Sequence, residues 1–189
     1  MRVTILAGTE NKIIMEKDLY KVGEDYVEAR IIESLSDLLL SLTLWKEGYT
    51  RNSAGKAFSA VKALLSALII TNEEKLINLA KDDKEKKWIK KKAHIVPTHA
   101  MYGLAQRLKD IGIDVINIVN YALNLHDYQY NGFEPGFSRY SKKEEVFRDL
   151  ITLVNETRKV IDAYYSKYEV KEILEKIDEL IKELIEGKK

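Results

Sequence analysis

One predicted helix, about Asp114 to Tyr130, carries most of the side chains in this sequence that suit polar chemistry. At 100° per residue, four amides and one acid fall within about 80° on its surface: Asn117, Asn120, Asn124, Asp127 and Asn131. Tyr121 and Tyr128 flank this polar stripe, and the remaining positions are mostly apolar. Amide side chains both donate and accept hydrogen bonds, so they suit a polar ligand.

Two interpretations of the polar stripe follow from its chemistry. The first is a cleft whose ligand contacts would be Asn120, Asn124, Asp127, Tyr128, Tyr130 and Asn131. The second is a hydrogen-bonded seam against another helix or another subunit, which is the commoner use of such a stripe.

His126 lies on the same helix, about 180° from the stripe, together with Val119, Leu123 and Tyr130. Histidine changes charge near neutral pH, so this residue is a candidate general base. A lone histidine on a mostly apolar face is more often a structural residue.

Two other clusters suit an anion. Tyr49, Arg51 and Lys56 lie at the turn into the second predicted helix, where Arg51 is placed to meet a phosphate at the helix N-terminus; a plain surface is the alternative. Residues 81–92 contain seven lysines and Trp88, which suits lysine contacts to phosphates and a tryptophan stacked on a base. Interleaved acids favour the alternative of a solvated linker or helix face: Asp82, Asp83 and Glu85.

Several classes of chemistry are excluded or disfavoured. Cysteine is absent, which rules out disulfides, thiol catalysis and thiolate metal sites. His94 and His99 are five residues apart with no acid at ligand spacing, so no metal site is expected. The phosphate-binding, dinucleotide-binding and HExxH motifs are also missing, so no cofactor is expected.

Charge and hydropathy indicate a cytoplasmic protein without a membrane span. The 31 basic and 30 acidic residues give a net charge of +1, so there is no global attraction to nucleic acid or membrane. The N-terminal segment MRVTILAGTENK is too short for a signal peptide. The longest apolar tract, near Ala63–Ile70, falls short of the roughly 18 residues that a span needs. The composition, rich in Lys, Glu and Ile, is typical of thermophile proteins.

The elements that must position these residues are predicted to be helices, because apolar residues recur at steps of three and four. The predicted helices are about Glu24 to Glu47, Ser53 to Ile70, Glu73 to Ala80, Thr98 to Asp110, Asp114 to Tyr130, Ser141 to Ser166 and Val170 to Glu186. Gly48 should end the first helix. Ser141 and Glu144 form a predicted capping box, and Val3–Leu6 is a possible short strand.

The fold prediction is therefore an all-α, up-and-down antiparallel bundle of about six to seven helices in one domain, residues 1–189. Its core spans about residues 24–165. A C-terminal amphipathic helix of about residues 170–186 completes it.

The first predicted helix, the turn at Gly48-Tyr49 and the segment KAFSAVKALLSAL resemble the start of HEPN-superfamily domains. Within that superfamily the sequence is most similar to the archaeal PaREP family, whose L-H-x-x-Y-like stretch reads Leu125-His126-Asp127-Tyr128-Gln129-Tyr130 here. The similarity covers about residues 24–165. It implies a helical bundle, usually a homodimer, with an RNA-cleaving site at the dimer cleft.

The sequence departs from the superfamily pattern at one position. Many active members carry an Arg, then four to six residues, then the His that acts as base, while the Arg steadies the phosphate charge. Here His126 is preceded at that distance by Val119, Asn120 and Tyr121. Asn120 cannot supply the charge, which argues against metal-independent RNA cleavage unless Arg51 or Arg139 substitutes from elsewhere.

Three functional hypotheses remain from the sequence. The first is a non-catalytic protein that binds nucleic acid or a nucleotide at a dimer groove. The second is an active ribonuclease with His126 as the base. The third is a non-enzymatic interaction module, such as one half of a toxin–antitoxin-like pair, with a protein partner.

Overall fold

Two long antiparallel helices, α1 (Glu24–Lys46) and α2 (Thr50–Thr71), form the centre of the molecule. The structure is a computed structural model that describes residues 3–4, 13–14 and 23–187. The turn between the helices is short because Gly48 adopts a φ of +87°, a conformation that glycine tolerates without steric cost. Ser41 Oγ donates to the carbonyl of Ser53 at 2.8 Å, which fastens the two helices beside the turn.

Helix α2 is the most deeply buried element, because small side chains let its neighbours approach closely. Its alanines at positions 54, 57, 60, 63 and 67 are fully enclosed. It packs against α1 on one side and against the later helices on the other. By length and mean hydropathy (1.4), α2 would also be able to cross a membrane, but 67% of its most apolar window is buried inside the protein. Core helices pass the same test, so the finding is consistent with a soluble protein.

Six further α-helices follow along the described chain: α3 (Glu73–Asn78), α4 (Asp83–Lys92), α5 (Met101–Asp110), α6 (Ile116–Asn131), α7 (Lys143–Tyr165) and α8 (Lys171–Glu186). Short 3₁₀ turns at Ala93–Ile95 and Thr98–Ala100 join α4 to α5. The all-α prediction is confirmed. The eight α-helices in the described residues exceed the expected six to seven because the lysine-rich segment forms α4, whose first turn is capped by Asp82 accepting from Glu85 N at 2.8 Å.

One continuous core receives side chains from all eight of these helices. The C-terminal helix α8 contributes Ile173 and Ile177 to it and lies against α1. Ion pairs flank this contact, with Lys46 Nζ 2.6 Å from Glu183 Oε2, and Arg158 Nη2 3.0 Å from Asp178 Oδ2.

Two local predictions need adjustment. At the start of α7, Glu145 rather than Glu144 closes the helix end: its carboxylate accepts from Ser141 N at 2.7 Å and from Lys142 N at 3.3 Å. Val3–Thr4 pairs antiparallel with Ile13–Ile14, and the remainder of the predicted strand Val3–Leu6 lies outside the described residues.

Candidate nucleic-acid interface

Most of the polar stripe of α6 lies on the outer side of the helix, and Asn117 lines a groove beside α7. Asn117, Asn120 and Asn131 are exposed, and Asn124 and Asp127 are half-buried. The opposite, apolar side of α6 packs on α2 and α7, through residues such as Val119, Ala122 and Leu125. In the described part of the chain no hydrogen bond of Asn120, Asn124 or Asp127 side chains to another residue occurs. Among the residues that the structure describes, the stripe therefore does not form a hydrogen-bonded seam with another helix.

His126 points toward α2, as its position opposite the stripe predicts. Its ring stacks on Phe58, with centroids 4.0 Å apart and planes 21° apart. Tyr130 meets the same imidazole edge-on at 5.1 Å. Nδ1 of His126 is buried without a hydrogen-bond partner among the described residues, while the residue as a whole is half-buried. Burying a polar nitrogen without a partner costs free energy, so this atom is a candidate contact for a water or a ligand.

A lysine lies beside this aromatic stack. Lys62 Nζ is 5.8 Å from the Phe58 ring centroid, within the range of a cation–π contact. Burial lowers the pKa of the Lys62 ammonium, and the nearby positive charge of Arg30 lowers it further. An imidazole and an ammonium therefore both contact the buried Phe58 ring, which brings a histidine and a lysine close to the exposed Tyr130.

Arg30, on α1, lies near Lys62 and places the charged side chains of that helix next to the stack. It is buried, and its Nη1 donates to Glu33 Oε2 at 2.6 Å. One turn further along, Asp37 Oδ1 accepts from Lys56 Nζ at 3.0 Å. Burial raises the pKa of both carboxyls, with the neighbouring cations acting in the opposite direction. We call these five residues the α1–α2 charge cluster: Arg30, Glu33, Asp37, Lys56 and Lys62.

Arg51 caps the end of α6. Its Nε donates to the carbonyl of Gln129 at 2.8 Å, and its Nη2 donates to the carbonyl of Tyr130. A cation here satisfies the last carbonyls of the helix and opposes its negative dipole end. Just below, Gly55 lets α2 approach α6 so closely that an added Cβ would lie 2.6 Å from Gln129 Cδ. The first role of Arg51 is therefore to hold α2 against α6, and contact with a ligand is secondary.

Exposed aromatic rings surround this end of α6. Tyr128 itself is buried, and its hydroxyl lies 2.8 Å from Thr50 Oγ1. Phe133 packs on Tyr128 at 5.1 Å, and Asn131 Nδ2 donates to the carbonyl of Phe137 at 3.3 Å. Four rings remain substantially open to solvent, and we call them the aromatic end: Tyr49, Tyr130, Phe133 and Phe137.

The predicted site residues thus separate into two groups. Arg51, Tyr128, Tyr130 and Asn131 meet at the end of α6, with His126 one turn earlier. Asn120, Asn124 and Asp127 lie on the outer face of the same helix, turned away from the His126 ring. Except for Arg51, the predicted site residues therefore lie on α6, but on two different sides of that helix.

Three residues around His126 were not identified from the sequence: Arg30, Phe58 and Lys62. Phe58 and Lys62 stand four residues apart in an otherwise small and aliphatic helix, which is a weak local signal. The contact of Phe58 with His126 joins residues more than 60 positions apart in the chain, so no local pattern reveals it.

The other side chains that the sequence offered for binding, Trp88 and His94, have surroundings typical of structural residues. Trp88 is half-buried and packs against the core. His94 is buried, with its ring edge-on to Tyr26 at 6.4 Å. Among the described residues no group of three acids and histidines is arranged to hold a metal ion. A cleft of about 380 Å³ lies between the start of α1 and the ends of α2 and α7, away from His126.

Comparison with known proteins places the chain by family. Residues 29–151 match the model described as the archaeal PaREP1/PaREP8 family. No curated protein and no solved structure matches the chain.

Proposed function

The chain belongs to the archaeal PaREP1/PaREP8 family, and from that premise we propose that it binds single-stranded RNA, or a nucleotide, on the surface formed by α2 and α6. The bases stack on Tyr130 and the other rings of the aromatic end, and Lys62 contacts a phosphate. Membership in the HEPN superfamily and a cytoplasmic location are part of this proposal.

The observation that carries the proposal is the His126–Phe58 stack with its two neighbours. Tyr130 is 65% exposed and stands edge-on to the imidazole, so one of its faces is free for a base. Lys62 supplies a positive charge on the same Phe58 ring. Aromatic faces with adjacent cations are the usual means by which proteins hold single strands without reading their sequence.

We also propose that two copies of the chain associate. The polar stripe of α6 is open to solvent and its amides have unused donors and acceptors. Such a stripe pairs with itself across a two-fold axis, because each amide meets an amide. Because the stripe is turned away from the His126 ring, the α2–α6 surface of each copy would lie outside this contact.

The test of RNA binding replaces Tyr130 by alanine and measures affinity for a fluorescent single-stranded RNA by anisotropy at low salt. Loss of one stacking partner costs about 1–3 kcal/mol, so the affinity should fall roughly 5- to 150-fold. Tyr102→Ala is the matched control, since that tyrosine is also exposed but lies on α5. Equal affinities of the two variants would refute the role of Tyr130.

If the unaltered protein has no measurable affinity for RNA or nucleotides at low salt, the proposal fails as a whole. The exposed Phe133 and Phe137 would then support the alternative of a protein-interaction module, because exposed aromatics are enriched in protein interfaces.

RNA cleavage by His126 is the second candidate. The observation in its favour is Lys62, a cation close to the histidine stack that stands in for the arginine missing near Asn120. Cleavage that continues unchanged in His126→Ala, with a chelator present, would exclude it.

A further inference from the structure

The exposed surface of α4 is the most strongly charged part of the described chain. All six of its lysines are exposed: Lys84, Lys86, Lys87, Lys90, Lys91 and Lys92. The opposite side of the helix anchors it, since Ile89 is buried and Trp88 is half-buried against the core. The helix therefore presents a fixed array of ammonium groups rather than a flexible lysine tail.

The acids that interleave with these lysines in sequence do not neutralise them in space. Asp82 caps the helix, and Glu85 faces Arg107 and the backbone N of Lys81. Only Asp83 meets an α4 lysine, with its Oδ1 3.7 Å from Lys86 Nζ. The other five lysines of α4 have no ion pair with any residue that the structure describes.

Elsewhere in the described chain, lysines are commonly paired with acids. Lys159 lies 2.7 Å from Glu156, Lys176 lies 2.8 Å from Glu172, and Lys171 lies 3.8 Å from Glu175, all measured between Nζ and Oε1. Residues 81–92 hold seven lysines and three acids, a net charge of +4, while the whole chain has +1. The rest of the chain therefore has a net charge of −3 (1 − 4), so positive charge is concentrated on this segment.

We infer that the exposed face of α4 is a docking site for the phosphate backbone of a nucleic acid. Lys84, Lys87 and Lys91 lie within about 60° on the helix and extend along about 10 Å of its axis. This arrangement matches a row of phosphates in charge and in shape. No exposed aromatic ring belongs to the row, because Trp88 packs inward, so the contact is to backbone and independent of sequence.

A lipid surface is the other polyanion that a lysine helix can meet, and the side chains of α4 do not favour it. A helix that lies in a membrane interface inserts an apolar face between the lipids. The apolar side chains of α4, Ile89 and Trp88, are directed into the protein core instead. The exposed face of α4 therefore carries charged side chains and no hydrophobic surface.

This site is separate from the α2–α6 surface and does not depend on it. The turn that follows α4 is fixed to α2 by Ser66 Oγ, which donates to the carbonyl of His94 at 2.6 Å. Ser66 is eight residues beyond Phe58, or about 12 Å along the axis of α2. The C-terminal end of α4 therefore lies beside the same helix that carries Phe58.

The experiment compares two triple variants that lose the same charge. The test variant is Lys84→Gln, Lys87→Gln and Lys91→Gln, and the control is Lys159→Gln, Lys171→Gln and Lys176→Gln, whose lysines are paired with acids. Binding of a homopolymeric single-stranded RNA is measured over a series of salt concentrations. Loss of three phosphate contacts should reduce the slope of log affinity against log salt by about 2, whereas the control should leave it unchanged.

Equal slopes for the two triple variants would overturn the inference. A third variant that replaces the same three α4 residues by arginine should keep the slope, which separates charge from folding. If the protein sediments with phosphatidylserine vesicles but has no affinity for RNA, the occupant is a membrane and the inference is wrong. Tyr130→Ala should lower affinity without changing the slope, so the α4 site and the α2–α6 proposal fail by different readouts.

Discussion

Arg51 and Asp37 show how single residues around α2 combine structural and electrostatic roles. The Arg51 guanidinium joins the beginning of α2 to the end of α6 through two backbone carbonyls. Asp37 holds Lys56 across the α1–α2 contact. Both lie close to the proposed binding surface, so changes in them act first on how α1, α2 and α6 meet.

Asp37 should make the free energy of unfolding depend on pH. Burial raises the pKa of its carboxyl above the ordinary value of 3.8, although Lys56 donates to it and Arg30 lies nearby. The folded state therefore binds a proton more tightly than the unfolded state, and stability falls as pH rises from 3.8 through the folded-state pKa. In Asp37→Asn this contribution is absent, so the advantage of the unaltered protein over the variant should shrink as pH rises.

Urea unfolding of both proteins across the acid range measures this difference. Glu33, whose carboxyl pKa burial also raises, is present in both proteins. The same holds for the exposed carboxyls whose pKa values are lowered by neighbouring groups, so these contributions largely cancel. A difference that grows with pH would mean that the ion pair to Lys56 outweighs the cost of burying the carboxylate.

The residue-scale prediction from sequence succeeded where it depended on helical phase alone. The 100° rule placed the amide stripe on one face of α6 and His126 on the other, and both orientations are found. The rule did not identify Phe58 and Lys62, because it does not show which helix packs against His126. Arg51 was assigned to phosphate binding, since sequence does not indicate that the end of α6 would supply carbonyls to it.

At the scale of elements, seven of the eight helices in the described residues were predicted from the sequence, and α4 was left open. The apolar stripes of α1 and α8 predict the first and last residues of these helices to within about one residue. Helix α4 has only Trp88 and Ile89 as apolar residues, so its pattern does not distinguish a helix from a charged linker. Its capping by Asp82 and its anchoring in the core supply what the apolar pattern lacks.

Helix α8 offers a matched test of its docking on the bundle. Ile177 is fully buried against the core, whereas Ile185, on the same helix, is 49% exposed. Ile177→Ala should lower the free energy of unfolding by about 2–4 kcal/mol, because it leaves a cavity. Ile185→Ala should cost less than about 0.5 kcal/mol. Denaturant unfolding of both variants measures this, and similar small losses would mean that α8 contributes little to stability.

On the scale of the whole molecule, charge and apolar surface are distributed unevenly. Positive charge is concentrated on α4, exposed aromatic rings gather at the end of α6, and unpaired amides line its outer face. The overall charge of +1 conceals this arrangement, which is why composition gave no reason to expect a nucleic-acid partner. The three surfaces also differ in chemistry: α4 suits the backbone of a nucleic acid, the aromatic end suits its bases, and the amide stripe suits a second copy of the chain.

The amide stripe is the surface that we assign to a second copy of the chain, and the oligomeric state tests it. Light scattering coupled to size-exclusion chromatography should give twice the monomer mass. Asn120→Arg with Asn124→Arg should give the monomer mass, because a two-fold axis brings the new arginines of both copies face to face. Asn78→Arg with Gln106→Arg adds the same charge at exposed positions on α3 and α5 and should remain dimeric. A monomeric unaltered protein would leave the stripe free for ligand, and a dimeric stripe variant would place the interface elsewhere.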